Sequence, residues 1–296
     1  MSKSTVAVSA IAISLAFIGL TACSPLGVLN AVSPGSALLA DSAVAYGSNP
    51  RNKLDIYRPE NKTANAPVIV FFFGGNWVSG KREDYAYVGR ALAKRGFVVV
   101  IPDYRLYPEV KYPDFLDDSA QAVAWTARTI ASHGGDPKRI FVMGHSAGAY
   151  NAAMLALDPR WLAKAGMKAS ELRGWIGLAG PYNFLPVENK TTRPVFNFPD
   201  TPADSQPINH VGGNSPPALL IAANNDKLVD PERNTGRLAA RLRADKVPVT
   251  ERYFDGVNHV TLVASLSTTL SALAPTLDAV SAFVDSDGGR TPPAKQ

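Results

Sequence analysis

The 296-residue sequence contains a single cysteine, Cys23, so an intrachain disulfide is excluded. It has no internal repeat and no low-complexity tract, and its hydrophobic content of 46% fits neither a disordered chain nor a minimal scaffold. No dense Lys/Arg stripe with interleaved aromatic residues is present, so the formal net charge of +5 gives little support for nucleic-acid binding. These absences leave a globular protein with a sizeable core.

The longest N-terminal apolar run extends from Val6 to Leu20 and follows Lys3. Because it is shorter than the ~20 residues that span a bilayer as a helix, a signal peptide is favoured over a permanent transmembrane anchor. Cys23 directly follows Leu20, Thr21 and Ala22, which resembles the lipobox of bacterial lipoproteins. We therefore predict a lipoprotein signal peptide over residues 1–22 and lipidation of Cys23. An ordinary signal peptide with an incidental Cys23 is the alternative.

The lipobox resemblance also implies a location. The protein would lie in the bacterial cell envelope, with the lipid on Cys23 as its attachment to the membrane. Ser24 follows Cys23 where an aspartate would favour the inner membrane, so the expected location is the outer membrane, facing the periplasm. A free catalytic thiol is not expected in an oxidising compartment.

From Lys53 onward, apolar strand candidates alternate with amphipathic helix candidates. The central strand candidates are continuous apolar runs without polar alternation, which indicates a parallel sheet covered by helices on both faces. We therefore predict an α/β fold in one domain, residues 51–285, with a mostly parallel central sheet flanked by helices. The predicted strands are Lys53–Tyr57, Pro67–Phe73, Phe97–Pro102, Ile140–Gly144, Gly174–Leu178, Ala218–Ala223 and Val249–Phe254. The predicted helices are Asp84–Arg95, Ser119–Ser132, Ala147–Ala156, Pro231–Ala244 and about Leu262–Val284.

Three segments lack this periodicity. Residues 23–50 are rich in Ser, Gly, Ala and Pro and are predicted to form a tether. Residues 182–217 are dense in Pro, Asn and Thr and too long for a plain turn, so we interpret them as a short lid insertion, with an inert surface excursion as the alternative. Residues 286–296 are predicted to be a disordered tail.

A possible nucleophile lies in the segment Gly144–Gly148, which matches the pattern GxSxG. The segment follows an apolar strand candidate and precedes a helix candidate. In this context the serine occupies a sharp strand-to-helix turn, and the glycines let neighbouring elements pass close enough for its hydroxyl to stand exposed. We therefore predict Ser146 as a nucleophile.

A serine hydroxyl needs a base, and the chain has four histidines. His133 and His145 precede the nucleophile, and His210 lies in the irregular segment. His259 follows the last strand candidate, where the chain order Ser, acid, His places the base. Asp226 is the first carboxylate after the strand Ala218–Ala223 and is the predicted acid. Asp230 is the alternative acid, and it is also expected to cap the helix that begins at Pro231.

Acyl transfer also needs N–H donors for the developing oxyanion. One is expected from the backbone of Ala147, directly after the nucleophile. The other is expected from the loop Phe73–Trp77, where glycines let backbone N–H groups point inward, although Gly74 and Gly75 could also make a simple turn.

Taken together, the loop Gly74–Trp77, the run Asp103–Pro108, the elbow at Ser146, Asp226 and His259 resemble the esterase branch of the α/β-hydrolases. This branch includes carboxylesterases, hormone-sensitive-lipase-like esterases, and relatives of kynurenine formamidase and isoprenylcysteine methylesterase. The resemblance implies oxyanion amides at Gly75, Asn76 and Ala147, and Trp77 lining the acyl pocket. It implies no metal and no cofactor. The chain departs from the family at Phe73, where a histidine usually anchors the oxyanion loop, so we expect packing to hold this loop.

The expected function is that of a serine hydrolase acting on small-molecule carboxylic esters with short to medium acyl chains. An arylformamidase or other amidase-type hydrolase is the nearest alternative, because the same residues can cleave an activated amide. A non-catalytic binding lipoprotein with a hydrolase fold is the alternative from another class, and the presence of Ser146, Asp226 and His259 argues against it.

Overall fold

The computed structural model describes residues 25–35, 38–61 and 64–290, which form an eight-stranded sheet flanked by helices. The strands are β1 (Leu39–Ala45), β2 (Lys53–Tyr57), β3 (Ala66–Phe72), β4 (Val98–Pro102), β5 (Gly135–His145), β6 (Gly174–Leu178), β7 (Ala218–Ala223) and β8 (Val249–Phe254). Their spatial order is β1-β2-β4-β3-β5-β6-β7-β8. Strand β2 is antiparallel to both β1 and β4, and the other neighbouring pairs are parallel. The predicted α/β class with a mostly parallel sheet is confirmed.

Helices and helical turns connect these strands. The α-helices are α1 (Pro25–Val32), α2 (Ala86–Lys94), α3 (Asp114–Thr129), α4 (Ala147–Leu157), α5 (Pro159–Lys164), α6 (Arg237–Ala244), α7 (His259–Ala264) and α8 (Thr276–Asp285). Single turns of 3₁₀-helix occupy Arg82–Tyr85, Ile130–His133, Ala169–Glu171, Ala203–Ser205, Pro207–His210 and Ser271–Leu273. A π-helical turn, Glu232–Gly236, precedes α6. Among the helices of the described ranges, none is both long and apolar enough to cross a membrane.

The apolar runs of the sequence become the centre of the sheet. Strands β3, β4, β6 and β7 are almost entirely buried, because helices cover both of their faces. Strands β2, β6, β7 and β8 have the predicted bounds, whereas β5 begins earlier than predicted, at Gly135. The continuous apolar runs therefore located the sheet correctly.

The N-terminal segment corrects one prediction. Within residues 23–50, which were predicted to be a tether, α1 and β1 form regular structure, and β1 pairs with β2 at the edge of the sheet. The side chain of Asn30 donates to the carbonyl oxygens of Glu83 and Asp84 and accepts from the N–H of Tyr87. Leu29 is buried beside them. A few specific contacts thus order a segment whose composition resembles a linker.

The C-terminal region corrects two more predictions. The single helix predicted over about Leu262–Val284 is divided: α7 ends at Ala264, and α8 begins at Thr276, directly after Pro275. The Ser265 hydroxyl, just past the end of α7, bonds the Thr276 hydroxyl at 2.7 Å. The predicted disordered tail is wrong for residues 286–290, since buried Asp287 forms ion pairs with Arg173 and Arg139. Residues 291–296 lie outside the described residues, as do the predicted signal peptide and Cys23.

The carboxyl ends of the parallel strands define one edge of the sheet. The loop after β3, the turn after β5 and the segments after β7 and β8 all begin at this edge. Side chains from distant parts of the sequence can therefore meet there, as expected for an open α/β sheet.

The packing of α4 against the sheet leads to a prediction about stability. A Cβ atom added at Gly148 would lie 2.0 Å from the Phe72 carbonyl oxygen, which belongs to the backbone of a central strand and cannot move aside. We expect Gly148→Ala to lower the free energy of unfolding by about 2 kcal/mol or more, as overpacking does in dense cores. Chemical denaturation of the purified variant would measure the loss.

Gly212→Ala is the matched control, because a Cβ atom at Gly212 meets no heavy atom within 4 Å. It is expected to unfold like the wild type. Equal stability of the Gly148 and Gly212 variants would contradict the tight contact between α4 and β3.

Candidate active site

Ser146 occupies a strained turn between β5 and α4. Its backbone has φ 54° and ψ −121°, in the region that L-residues rarely adopt. The Ser146 N–H donates to the Leu178 carbonyl oxygen at the end of β6, with a distance of 2.9 Å. Cβ atoms added at Gly144 or Gly148 would lie 2.1 Å or less from backbone oxygens, so only glycine fits on either side. The turn has the form that the GxSxG pattern predicts.

The three side chains predicted as nucleophile, base and acid lie in one hydrogen-bonded row. The Nε2 atom of His259 is 2.9 Å from the Ser146 Oγ, and its Nδ1 atom is 2.7 Å from the Asp226 Oδ2. The carboxylate can only accept, so Nδ1 carries the proton and Nε2 presents a lone pair to the hydroxyl. This tautomer can remove the serine proton.

Asp226 is fixed and charged. Its Oδ1 atom accepts from the N–H groups of Leu228 and Val229 at 2.8 and 2.9 Å, and Oδ2 faces His259. Burial acts to raise the pKa of Asp226, but the hydrogen bonds and charge of His259 and the two backbone N–H groups outweigh it and hold the pKa below its usual value. The carboxylate is therefore ionised at neutral pH and can stabilise an imidazolium.

The alternative acid, Asp230, lines the cavity beside Ser146, but the hydrogen bond to His259 Nδ1 comes from Asp226. Asp230 is exposed, and its Oδ1 accepts from the Arg233 N–H at 2.8 Å, as a helix cap does. The structure thus brings Asp226 and not Asp230 to the imidazole.

His259 is the first residue of α7, and a capping box sets where this helix begins. The Asn258 side chain accepts from the N–H groups of Val260 and Thr261, while the Thr261 hydroxyl accepts from the Asn258 N–H. Both His259 and Asp226 are 7% exposed, so the proton transfers would take place largely shielded from bulk water.

The loop after β3 presents backbone N–H groups to the same place. Burial raises the pKa of Tyr85 to about 12, opposed by the backbone of Gly74, so Tyr85 lies close to this loop. In the described part of the chain, the N–H groups of Gly75 and Asn76 have no hydrogen-bond acceptor. The Ala147 N–H lies in the first turn of α4, where it lacks an intrahelical acceptor. These are the three amides predicted for an oxyanion.

Aromatic packing holds this loop where the family resemblance implies a histidine. The Phe73 ring stacks on Tyr104 and Tyr85 with centroid distances of 4.7 and 5.9 Å, and the Tyr104 hydroxyl donates to the Phe73 carbonyl oxygen at 2.7 Å. Trp77 is buried, and its indole N–H donates to Asn151 on α4 at 3.0 Å. The loop is thereby attached to the helix that follows the nucleophile.

A cavity of about 250 Å³ opens beside Ser146. Asn76, Trp77 and Ala147 line it on the side of the sheet, and Leu228 and Val229 line it after β7. The segment 182–217, predicted as a lid, contributes Phe184, Pro186, Val187, Glu188, Asn189 and Thr192 to the wall. The segment therefore shapes the cavity, and its movement as a lid stays a prediction.

Among the described residues, no three His, Cys, Asp or Glu side chains are grouped as metal ligands.

Sequence reasoning missed several residues of the site. His145 was set aside as a base, yet its ring lies against His259, with a centroid distance of 4.9 Å. The Asn151 side chain accepts a hydrogen bond from Trp77, but nothing local in the sequence pairs these positions. One signal was available: Asn151 is a polar residue within a helix that is otherwise apolar, which suggests a buried partner.

Comparison with known proteins agrees with this architecture. The BD-FAE family model matches residues 54–242. This chain belongs to the BD-FAE family. It is 40% identical over 148 residues to a probable isoprenylcysteine alpha-carbonyl methylesterase of Oryza sativa subsp. japonica, covering 48% of this chain and 35% of that protein. It is 31% identical over 224 residues to esterase LipC of Mycobacterium tuberculosis, covering 68% of this chain and 54% of that protein.

The structural comparison confirms the α/β-hydrolase fold. A thermophilic esterase from Thermogutta terrifontis superposes with a TM-score of 0.70 at 23% identity, covering 89% of this chain and 97% of that one. The chain matches only 35% to 54% of the length of the two curated relatives. Their likeness thus concerns a portion of each.

The hydrogen bonds of Asp226 lead to a prediction for Asp226→Asn. Because the Oδ1 position accepts two N–H groups, the asparagine oxygen must occupy it and the amide NH₂ must face His259. The imidazole proton then moves to Nε2, which can no longer accept the serine proton. We expect kcat for ester hydrolysis to fall about 10⁴-fold, as the wrong tautomer does in Ser-His-Asp enzymes.

Asp278→Asn is the matched control, because Asp278 is an exposed carboxylate on α8 outside the cavity, and it is expected to retain wild-type kcat. The pH profile adds a second test. Since the pKa of Asp226 is lowered by its hydrogen bonds and by the charge of His259, its carboxylate should stay ionised above about pH 5, and Asp226 should take up no proton as wild-type activity falls on the acid side. A loss that follows two protons between pH 5 and 7 would contradict this assignment.

Proposed function

We propose that this protein is a serine hydrolase that cleaves carboxylic esters with short to medium acyl chains through an acyl-enzyme intermediate. The observation that carries the proposal is the continuous row from the Ser146 hydroxyl through His259 to Asp226, with the hydroxyl on a strained turn at a cavity. Three residues far apart in sequence would not meet in this order without a chemical use.

The proposed reaction has two halves. The Ser146 Oγ attacks the ester carbonyl carbon while His259 Nε2 takes its proton, and N–H groups of Gly75, Asn76 and Ala147 stabilise the oxyanion. As the tetrahedral intermediate collapses, the carbon–oxygen bond to the alcohol breaks and His259 donates its proton to the leaving oxygen. Water then attacks the acyl-enzyme with the same base, which releases the acid and restores Ser146.

The size of the cavity supports a small acyl group. Its volume of about 250 Å³ lies below the ~300–1,000 Å³ of pockets that hold drug-sized ligands. Trp77, Phe184 and Val187 give it apolar walls. Relatives described as methylesterase and esterase support ester cleavage.

The first experiment is hydrolysis of p-nitrophenyl esters from acetate to decanoate by the wild type and by Ser146→Ala. We expect the highest kcat/KM at or below hexanoate and a steep fall for longer chains, because a longer acyl group exceeds the cavity. Ser146→Ala should lose at least about 10³-fold in kcat, since the nucleophile is removed.

A fluorophosphonate probe tests the nucleophile independently of the ester, and the wild type alone should be labelled. A wild type that neither hydrolyses any chain length nor accepts the probe would contradict the enzyme proposal and favour the binding-lipoprotein alternative. Faster cleavage of an aryl formamide than of the matched aryl formate would favour the amidase alternative.

We also propose that the protein is lipidated on Cys23 and held at the outer membrane on its periplasmic side. The lipobox-like Leu20–Cys23 segment and the preceding apolar run support this location. In this arrangement α1, which begins two residues after Cys23, would lie close to the lipid surface.

Expression of the full chain in a Gram-negative host tests the anchor. The wild type should sediment with membranes and incorporate labelled palmitate, whereas Cys23→Ser should do neither. The matched control, Ser24→Ala, alters the neighbouring residue and should behave like the wild type. A wild-type protein found in the soluble periplasmic fraction without palmitate would rule out the anchor.

A further inference from the structure

One buried titratable side chain at the site has no part in the reaction described above. His145 is the last residue of β5 and directly precedes Ser146. It is 5% exposed, and its Nε2 atom is 2.9 Å from the backbone carbonyl oxygen of His259. The His145 side chain thus connects the end of β5, directly before the nucleophile, to the backbone of His259.

The contact fixes where the His145 proton lies. A carbonyl oxygen only accepts hydrogen bonds, so Nε2 carries the proton and donates it to His259. The Nδ1 atom then holds a lone pair, and it has no hydrogen-bond partner among the described residues. It faces the oxyanion loop, because a Cβ atom added at Gly74 would lie 3.1 Å from it.

The surroundings keep this ring neutral. Burial, reinforced by the neighbouring His259, lowers the pKa of His145 to about 3, and only weaker effects of the His259 backbone and of Asp226 oppose it. The His145 and His259 rings are 4.9 Å apart. A charged His145 would repel the imidazolium that forms on His259 during proton transfer, so a neutral ring is compatible with the reaction and a cation is not.

We propose that His145 is a positioning residue, whose Nε2–H holds the His259 carbonyl and so sets the position of the imidazole relative to the Ser146 hydroxyl. The proposal rests on the proposed hydrolase function. The capping box at Asn258 fixes the start of α7, and the bond from His145 adds a restraint from the opposite side, through the strand that carries the nucleophile. The hydrogen bond from His145 thereby links the backbone next to Ser146 directly to the backbone of His259.

Glutamine and methionine at position 145 form the matched pair for the test. The glutamine Nε2 is as many bonds from the backbone as the histidine Nε2, so it can donate to the same carbonyl. Methionine has nearly the same shape without a donor. We expect His145→Met to lose about 10- to 100-fold in kcat on p-nitrophenyl acetate at unchanged KM, because small misplacement of a catalytic group costs up to about 10²-fold. His145→Gln should keep kcat within threefold of the wild type.

Thermal unfolding separates positioning from packing. The two variants should melt within a few degrees of each other, and the rate of fluorophosphonate labelling should fall with kcat in the methionine variant only. Full activity in His145→Met, or equal loss in both variants, would overturn the proposal. A wild type without turnover on any ester would instead count against the proposed function.

Nitrogen NMR of the imidazoles tests the proposal without requiring turnover. His145 in the wild type should show a protonated Nε2 and an unprotonated Nδ1 from pH 5 to pH 8. A His145 that carries its proton on Nδ1, or that becomes a cation in this range, would overturn the proposal whatever the ester assays show.

Discussion

The close approach of α4 to the central strands is the constraint on which the rest of the site depends. At Gly148 a side chain would touch the Phe72 carbonyl oxygen, and at Gly144 it would touch the backbone of Gly148. Only at this separation can the chain turn sharply enough to hold Ser146 at positive φ, a conformation that costs on the order of 1–3 kcal/mol and needs support from its surroundings. The support comes from the almost entirely buried strand β3 and the fully buried strand β6. The position of the nucleophile is therefore set by the core.

Charge in the site follows from the same burial. The Asp226 carboxylate keeps its charge because two backbone N–H groups and His259 bind it. The second histidine, His145, donates from Nε2 to the His259 carbonyl, its Nδ1 has no partner among the described residues, and burial keeps the ring neutral. One negative charge thus faces the one ring that must become positive. The Asp226 carboxylate attracts the His259 ring more strongly once the ring has taken the serine proton and become an imidazolium. This preference for the charged ring is the differential stabilisation that a catalyst requires.

Much of the fold and the triad could be predicted because the relevant signals are local. Continuous apolar runs specify the buried strands, and GxSxG between a strand and a helix specifies Ser146. Chain order then selects His259 and Asp226. The errors have non-local causes. Edge strand β1 is ordered by pairing with β2, and α1 by the side chain of Asn30, neither of which leaves a periodic pattern.

The roles of His145 and Asn151 were missed for the same reason. Each depends on a partner that the fold brings from another element: the His259 carbonyl and the Trp77 indole. The motif that identified Ser146 says nothing about such partners. Sequence patterns therefore reveal the groups that react more readily than those that hold them in place.

The loop after β3 is held in place by different contacts from those that the family resemblance implies. Instead of a histidine, Phe73 is held between two tyrosine rings. At the other end of the loop, the Arg51 guanidinium donates to the carbonyl oxygens of Gly80 and Tyr104. A side chain at Gly80 would strike the Phe73 ring, so the two ends of the loop are packed against each other. With both ends fixed, Gly75, Asn76 and Trp77 keep positive φ, and the N–H groups of Gly75 and Asn76 stay free for an incoming oxygen.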